Sequence, residues 1–149
     1  MRKFRTLYLI LGLLIAQSSV ARELAVITDK GNGSSSINSS DLLKLLKTDA
    51  PKWPDGRRIT IFLREPGSPD NQLVLQRAYN LGPDDAKALL ASHKATILTI
   101  DSDELLMKAV SEHPGAIGFV NVYSINSGVK VLKVDGKLPF EQGYIFHGN

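Results

Sequence analysis

Arg64, Gly67 and Ser68 lie in one short stretch, Ile59-Thr-Ile-Phe-Leu-Arg-Glu-Pro-Gly-Ser-Pro-Asp-Asn71, and together have the chemistry of an anion site. The apolar run reads as a strand that ends at the arginine, turns through Gly67 and opens a helix at Ser68. A helix start leaves its first backbone N–H groups unpaired and carries partial positive charge. A phosphate, sulfate or carboxylate is therefore stabilised there, the more so beside a hydroxyl and a guanidinium. The same residues also start a helix with no ligand: Ser68 as N-cap, Pro69 as first helical residue, Asp70 in the first turn. Spacing alone leaves both readings open. A second set of candidate donors, Ser34, Ser35 and Ser36, lies in the loop Gly31-Asn-Gly-Ser-Ser-Ser36 after another strand-like run.

Other chemistries lack their parts. The chain has no cysteine, which removes disulfides, thiol nucleophiles and thiolate metal sites. Its three histidines, His93, His113 and His147, are scattered and form no His-x-x-x-His pair, and neither a nucleophile elbow nor a Walker-type phosphate loop occurs. No metal, no cofactor and no enzyme activity are expected. Trp53 reads as a core plug beneath its loop, with a ligand platform as the alternative. Tyr123, Tyr144 and Phe146 read as packing of the terminal segment, with an exposed interaction patch as the alternative.

The N-terminus has the three parts of a secretory signal peptide: basic Arg2, Lys3 and Arg5, apolar Leu7 to Ala16, and small-residue Ser19-Val-Ala21. Cleavage after Ala21 is expected, since the apolar run falls short of the roughly 20 residues that span a bilayer. Residues 1–21 are thus read as signal peptide and 22–149 as one domain, with a periplasmic location. Three of the eighteen Lys and Arg fall in the signal, so fifteen remain against fifteen Asp and Glu. The pI of about 9.2 belongs largely to the precursor and gives no argument for a nucleic-acid partner.

The elements that must position these residues alternate. Leu24 to Thr28 is a first strand, and Ser39 or Ser40 caps a helix with Leu42, Leu43, Leu45 and Leu46 on one face. A structured loop from Asp49 to Arg58 precedes a strand over Ile59 to Leu63 and a helix from Pro69 to about Asn80. Gly82 interrupts the chain before a helix from Pro83 to about Ser92. A strand over Thr96 to Ile100 leads to a helix opened by a capping box, Asp101-x-x-Glu104. Strands over Ala116 to Val120 and Val129 to Val134 complete an α/β reading, an open sheet flanked by helices. If the first two strands are neighbours, the serine loop and Arg64 face one pocket.

Four pieces in order carry a family likeness: Ser39-Ser-Asp-Leu-Leu43, Lys52-Trp-Pro-Asp-Gly56, Arg64-x-x-Gly67-Ser68, and Ser111-Glu-His-Pro-Gly-Ala-Ile-Gly-Phe-Val120. The chain from Leu24 to about Tyr144 resembles the phosphate-binding periplasmic proteins of ABC transporters, a fold of the type II periplasmic-binding-protein class. The resemblance implies phosphate or a related oxyanion as ligand, bound through Arg64, Gly67 and Ser68, with Ser34, Ser35 and Ser36 contributing if their loop reaches the site.

Two departures stand out. Full-length members of that family have two lobes around the ligand, whereas this chain is long enough for one. The family's Arg-x-x-Gly-Ser-Gly-Thr motif ends here in Pro69 and Asp70, which removes an N–H and places a carboxylate near the anion. Micromolar affinity needs about −8 kcal/mol, while charge-assisted hydrogen bonds give roughly 1.5–3 kcal/mol each, and less on an open face. Weak binding is the expectation, with a second lobe supplied by a dimer mate or by a membrane transporter or sensor protein. The alternative is an interaction or sensory module that keeps the fold without tight ligand binding.

Overall fold

The structure, a computed structural model, describes residues 22–80, 83–93 and 96–148. The expected signal peptide and the break at Gly82 lie outside the described residues. In chain order the elements are β1 (Arg22–Asp29), β2 (Ser36–Ile37), α1 (Ser39–Leu46), β3 (Ile61–Arg64), α2 (Pro69–Tyr79), α3 (Pro83–Ser92), β4 (Ile97–Ile100), α4 (Asp103–Glu112), β5 (Ile117–Asn121), β6 (Val129–Val134) and β7 (His147–Gly148). A 3-10 turn, Val122–Ser124, follows β5.

The strands form one mixed sheet in the order β2-β6-β1-β5-β3-β4, with β7 added on β1. Period-two alternation divides the core. Leu24 and Val26 of β1, Ile61 and Leu63 of β3, and Ile117 and Phe119 of β5 face a cluster that takes in Leu42 and Leu46 of α1 and Leu73, Val74 and Leu75 of α2. Ala25, Ile27, Phe62 and Val120 point to the other face, where α4 packs through Leu106, Met107 and Val110. Both faces of β1 are covered, which explains why its Leu-Ala-Val-Ile run is continuously apolar. At Gly118 a Cβ would stand 2.7 Å from Val110 Cγ2 and 2.9 Å from Leu106 Cδ2, so this glycine lets α4 lie close on β5.

Strand order corrects one expectation. β1 and β3 are not neighbours: β5 lies between them, antiparallel to β1 and parallel to β3. Thr28 of β1 pairs with Ile117, the residue that also pairs with Ile61 at the start of β3. The end of β1 and the end of β3 are therefore at opposite ends of the sheet. Two caps also differ from expectation. The N-cap of α1 is Asn38 rather than Ser39 or Ser40, and its side chain makes no cap hydrogen bond; the Ser39 N–H donates instead to Asp135 Oδ1 at 2.8 Å. The N-cap of α4 is Ser102 rather than Asp101, and its hydroxyl accepts from the Leu105 N–H.

Candidate functional site

β3, β4 and β5 run parallel, so their carboxyl ends meet at one edge, the place where open α/β sheets present ligands. Arg64 closes β3 opposite Ile100 of β4, and residues 65–67 turn the chain into α2. The turn is tied locally. The Ser68 N–H donates to Glu65 O at 2.9 Å, and the Asn71 side-chain amide donates to Arg64 O. Ser68 is the N-cap of α2, its hydroxyl oxygen accepting from the Asn71 N–H at 3.1 Å. The cap role is therefore filled by an accepting bond, and the buried hydroxyl keeps its proton as a donor. Gly67 is exposed, and a Cβ built there would meet nothing within 4 Å, so open space lies over the turn.

Arg64 is held by acids that the sequence pattern does not pair with it. Nη1 donates to Asp103 Oδ1 at 2.5 Å, Nε and Nη2 donate to the two oxygens of Glu65 at 3.2 and 3.1 Å, and Nη2 also reaches Asp101 O at 3.0 Å. The second oxygen of Asp103 accepts from Ser124 Oγ at 2.6 Å. The Glu65 hydrogen bonds first, and those to Asp103 after them, hold the guanidinium firmly charged; Arg64 in turn holds the Glu65 carboxyl below the usual carboxylate range. An incoming oxyanion must share this fork with two carboxylates.

Asp70 is placed differently from the expectation that it opposes an anion. It is buried, and Arg22 Nη1 donates to its Oδ1 at 2.5 Å, so its charge is met by the first residue of β1. Arg22, Glu65, Asp103 and Ser124 all shape this end of the sheet, and all escaped the sequence reading. Asp103 carried a signal, since it stands three residues past the apolar run of β4, where parallel strands bring it beside Arg64.

Ser34, Ser35 and Ser36 are not brought to Arg64. The Ser34 N–H donates to Asn32 Oδ1 at 3.0 Å, Ser35 O accepts from the Lys133 N–H at 3.0 Å, and Ser36 pairs with Lys133 in β2–β6. They belong to the β2 edge of the sheet, with β6, β1 and β5 between them and Arg64 on β3. Of the predicted set, Arg64, Gly67 and Ser68 come together; the three serines form a separate region. Among the described residues no group of three or more His, Cys, Asp and Glu is placed to hold a metal ion.

Trp53 is buried as expected, with its indole N–H donating to Gly115 O at 2.7 Å. Tyr144 and Phe146 are core residues, whereas Tyr123 stands 69% exposed beside Phe140, ring centroids 5.8 Å apart.

No family model matches the chain. A curated relative, phosphate-binding protein PstS 2 of Streptococcus agalactiae serotype V, is 34% identical over 80 residues, which is 53% of this chain and 27% of that protein. The chain thus spans about a quarter of the curated relatives' length. Among solved structures, PstS from Borrelia burgdorferi superposes with a TM-score of 0.69 at 18% identity, over 87% of this chain and 55% of that one. A putative phosphate ABC transporter substrate-binding protein with bound phosphate from Clostridium perfringens gives 0.66 at 17% identity, over 79% and 47%. An ABC-type phosphate transport receptor from Vibrio cholerae gives 0.66 at 17%, over 80% and 48%. The fold is a single lobe of the periplasmic-binding-protein kind, similar to about half of each of these proteins.

Proposed function

We propose that this chain is a solute-binding lobe that recognises phosphate or a related oxyanion in connection with ABC-type phosphate uptake. The observation that carries the reading is the junction of β3 and α2. A guanidinium, a capping hydroxyl and an open glycine turn stand together at the carboxyl ends of three parallel strands, in a fold shared with phosphate-binding proteins. In this reading Arg64 supplies charge, while Ser68 Oγ–H and the Gly67 N–H supply direction. Binding is weak because Glu65 and Asp103 already occupy the guanidinium, and because one lobe leaves the ligand open to water. A second lobe, from a dimer mate or a membrane transporter or sensor protein, completes the site. Export to the periplasm belongs to the same reading, and intact-mass analysis of periplasmic protein beginning at Arg22 tests it.

Phosphate titration of the protein by calorimetry and by backbone amide shifts tests the ligand. Saturable millimolar binding that perturbs residues 64–71 and disappears in Arg64→Ala is the expected result. No response at tens of millimolar phosphate overturns it.

The second reading, an interaction or sensory module, is favoured by a different observation. Tyr123 and Phe140 form an exposed aromatic pair next to Ser124, which anchors Asp103 on Arg64. Phe140 holds φ +72°, a conformation costly for a bulky residue and one that persists where its neighbours impose it.

A further inference from the structure

The serine loop that does not reach Arg64 borders a cleft of its own. Between that loop, α1 and the Trp53 loop lies an open cavity of about 770 Å³, within the usual range of roughly 300–1,000 Å³ for small-molecule sites. We propose that this cleft is a second binding site, for a small organic anion with an apolar body. It lies beside the β2 edge of the sheet, with β6, β1 and β5 between that edge and Arg64 on β3, and does not depend on the oxyanion reading of the β3–α2 junction.

Three features of the lining define the ligand. Leu45, Pro51 and Trp53 give an apolar wall, and the indole is fixed in place by its hydrogen bond to Gly115 O. This wall is preformed and takes apolar surface out of water without reorganising. Lys44, in the last turn of α1, and Lys52, in the loop opposite, bring two ammonium groups to the same cleft. Neither lysine takes part in an ion pair among the described residues. Asp41 is the one carboxylate among the described lining residues, so the cleft carries net positive charge in a mature domain that is formally neutral.

The donor set points away from inorganic phosphate here. Lysines attract charge without the fixed fork that grips a tetrahedral anion. The Ser34 N–H is spent on Asn32 Oδ1. The hydroxyls of Ser34 and Ser36 remain as orienting groups at the rim. An apolar wall with two loosely directed cations and two hydroxyls suits an aliphatic or aromatic carboxylate better than a small hydrated oxyanion.

The test uses the protein's single tryptophan, which lines this cleft and makes its emission a local readout. The full mature protein is titrated with 4-phenylbutyrate, with the neutral analogue 4-phenylbutanol and with inorganic phosphate. We expect a saturable change in Trp53 emission with phenylbutyrate, at least fivefold weaker binding of the alcohol, and no response to phosphate. Lys44→Gln combined with Lys52→Gln, both at exposed positions, weakens phenylbutyrate at least fivefold and leaves the alcohol unchanged. Arg64→Ala leaves both unchanged, which separates this site from the oxyanion end. Absence of saturation, equal affinity for acid and alcohol, or insensitivity to the two lysines overturns the proposal. A phosphate response that the lysine changes remove overturns it too, because the cleft is then a simple anion patch.

Discussion

Arg64 Nη1 and Asp103 Oδ1 stand 2.5 Å apart although 39 residues separate them in the chain, and this pair sets what the end of the sheet can bind. Arg64 comes from the last residue of β3 and Asp103 from the first turn of α4, joined across the parallel β3–β4 pair. Removing the negative charge without changing shape frees part of the guanidinium. Asp103→Asn is expected to raise phosphate affinity about fivefold, since one unit charge at this range is worth about 1 kcal/mol in a water-like medium. Calorimetry against wild type checks this, and unchanged or weaker affinity means phosphate does not use Arg64.

Arg22 and Asp70 make the second long-range ion pair, tying the start of β1 to the first turn of α2. Asp70 is nearly covered while Arg22 is partly open, so the pair is neither a surface contact nor a fully desolvated one. Asp70→Asn should lower stability by about 1.5–3 kcal/mol, the range for a hydrogen bond to a charged group. Urea unfolding of Asp70→Asn, Arg22→Ala and the double variant measures it; strict additivity refutes the coupling.

What could be read from the sequence was local. Ser68 as cap with Pro69 behind it, the Val129–Val134 strand before Asp135-Gly136, and the helix over Pro83–Ser92 each depend on neighbours within a few residues, and the structure has them so. Apart from helix caps displaced by a residue or two, the misreadings were of long range. Insertion of β5 between β1 and β3 involves chain more than fifty residues beyond β3, and with β6 it leaves the serine loop several strands away from Arg64. Asp135 replaces an ordinary side-chain cap on α1 from 96 residues away. Asp103 meets Arg64 only once β4 and α4 return alongside β3, whereas Glu65 is its neighbour in the chain. Strand order is set by which apolar faces find cover, and alternation within a strand carries no record of its neighbour.

Trp53 shows how a loop residue can act as core. The residue is 5% exposed, and its indole N–H satisfies Gly115 O at a turn where φ is +82°. Trp53→Ala is expected to cost about 3–5 kcal/mol, the usual range for deleting a buried aromatic. Trp53→Phe retains most of the apolar volume but leaves that carbonyl unpaired, at a cost of about 1–3 kcal/mol. Thermal or urea unfolding ranks the two; a change below about 1 kcal/mol for Ala places the ring outside the core.

Asp135 links the turn after β6 to the start of α1, and the link carries a pH dependence whose sign is fixed. The Ser39 N–H foremost, then the Ser39 side chain, hold the Asp135 carboxyl below its ordinary 3.8, with Lys137 adding to the effect. A group whose folded pKa is depressed contributes stability above its unfolded value and loses it as pH falls through the folded one. The contribution is therefore complete above about pH 4 and fades as pH drops below 3.8. The Ser39 amide shift should titrate with a midpoint under 3.8. Asp135 sits at φ +54°, which Asn tolerates and most residues do not, so Asp135→Asn keeps the backbone and a neutral acceptor while abolishing that titration. If the Ser39 shift titrates unchanged in Asp135→Asn, the proton belongs to another group, and α1 is not capped from β6.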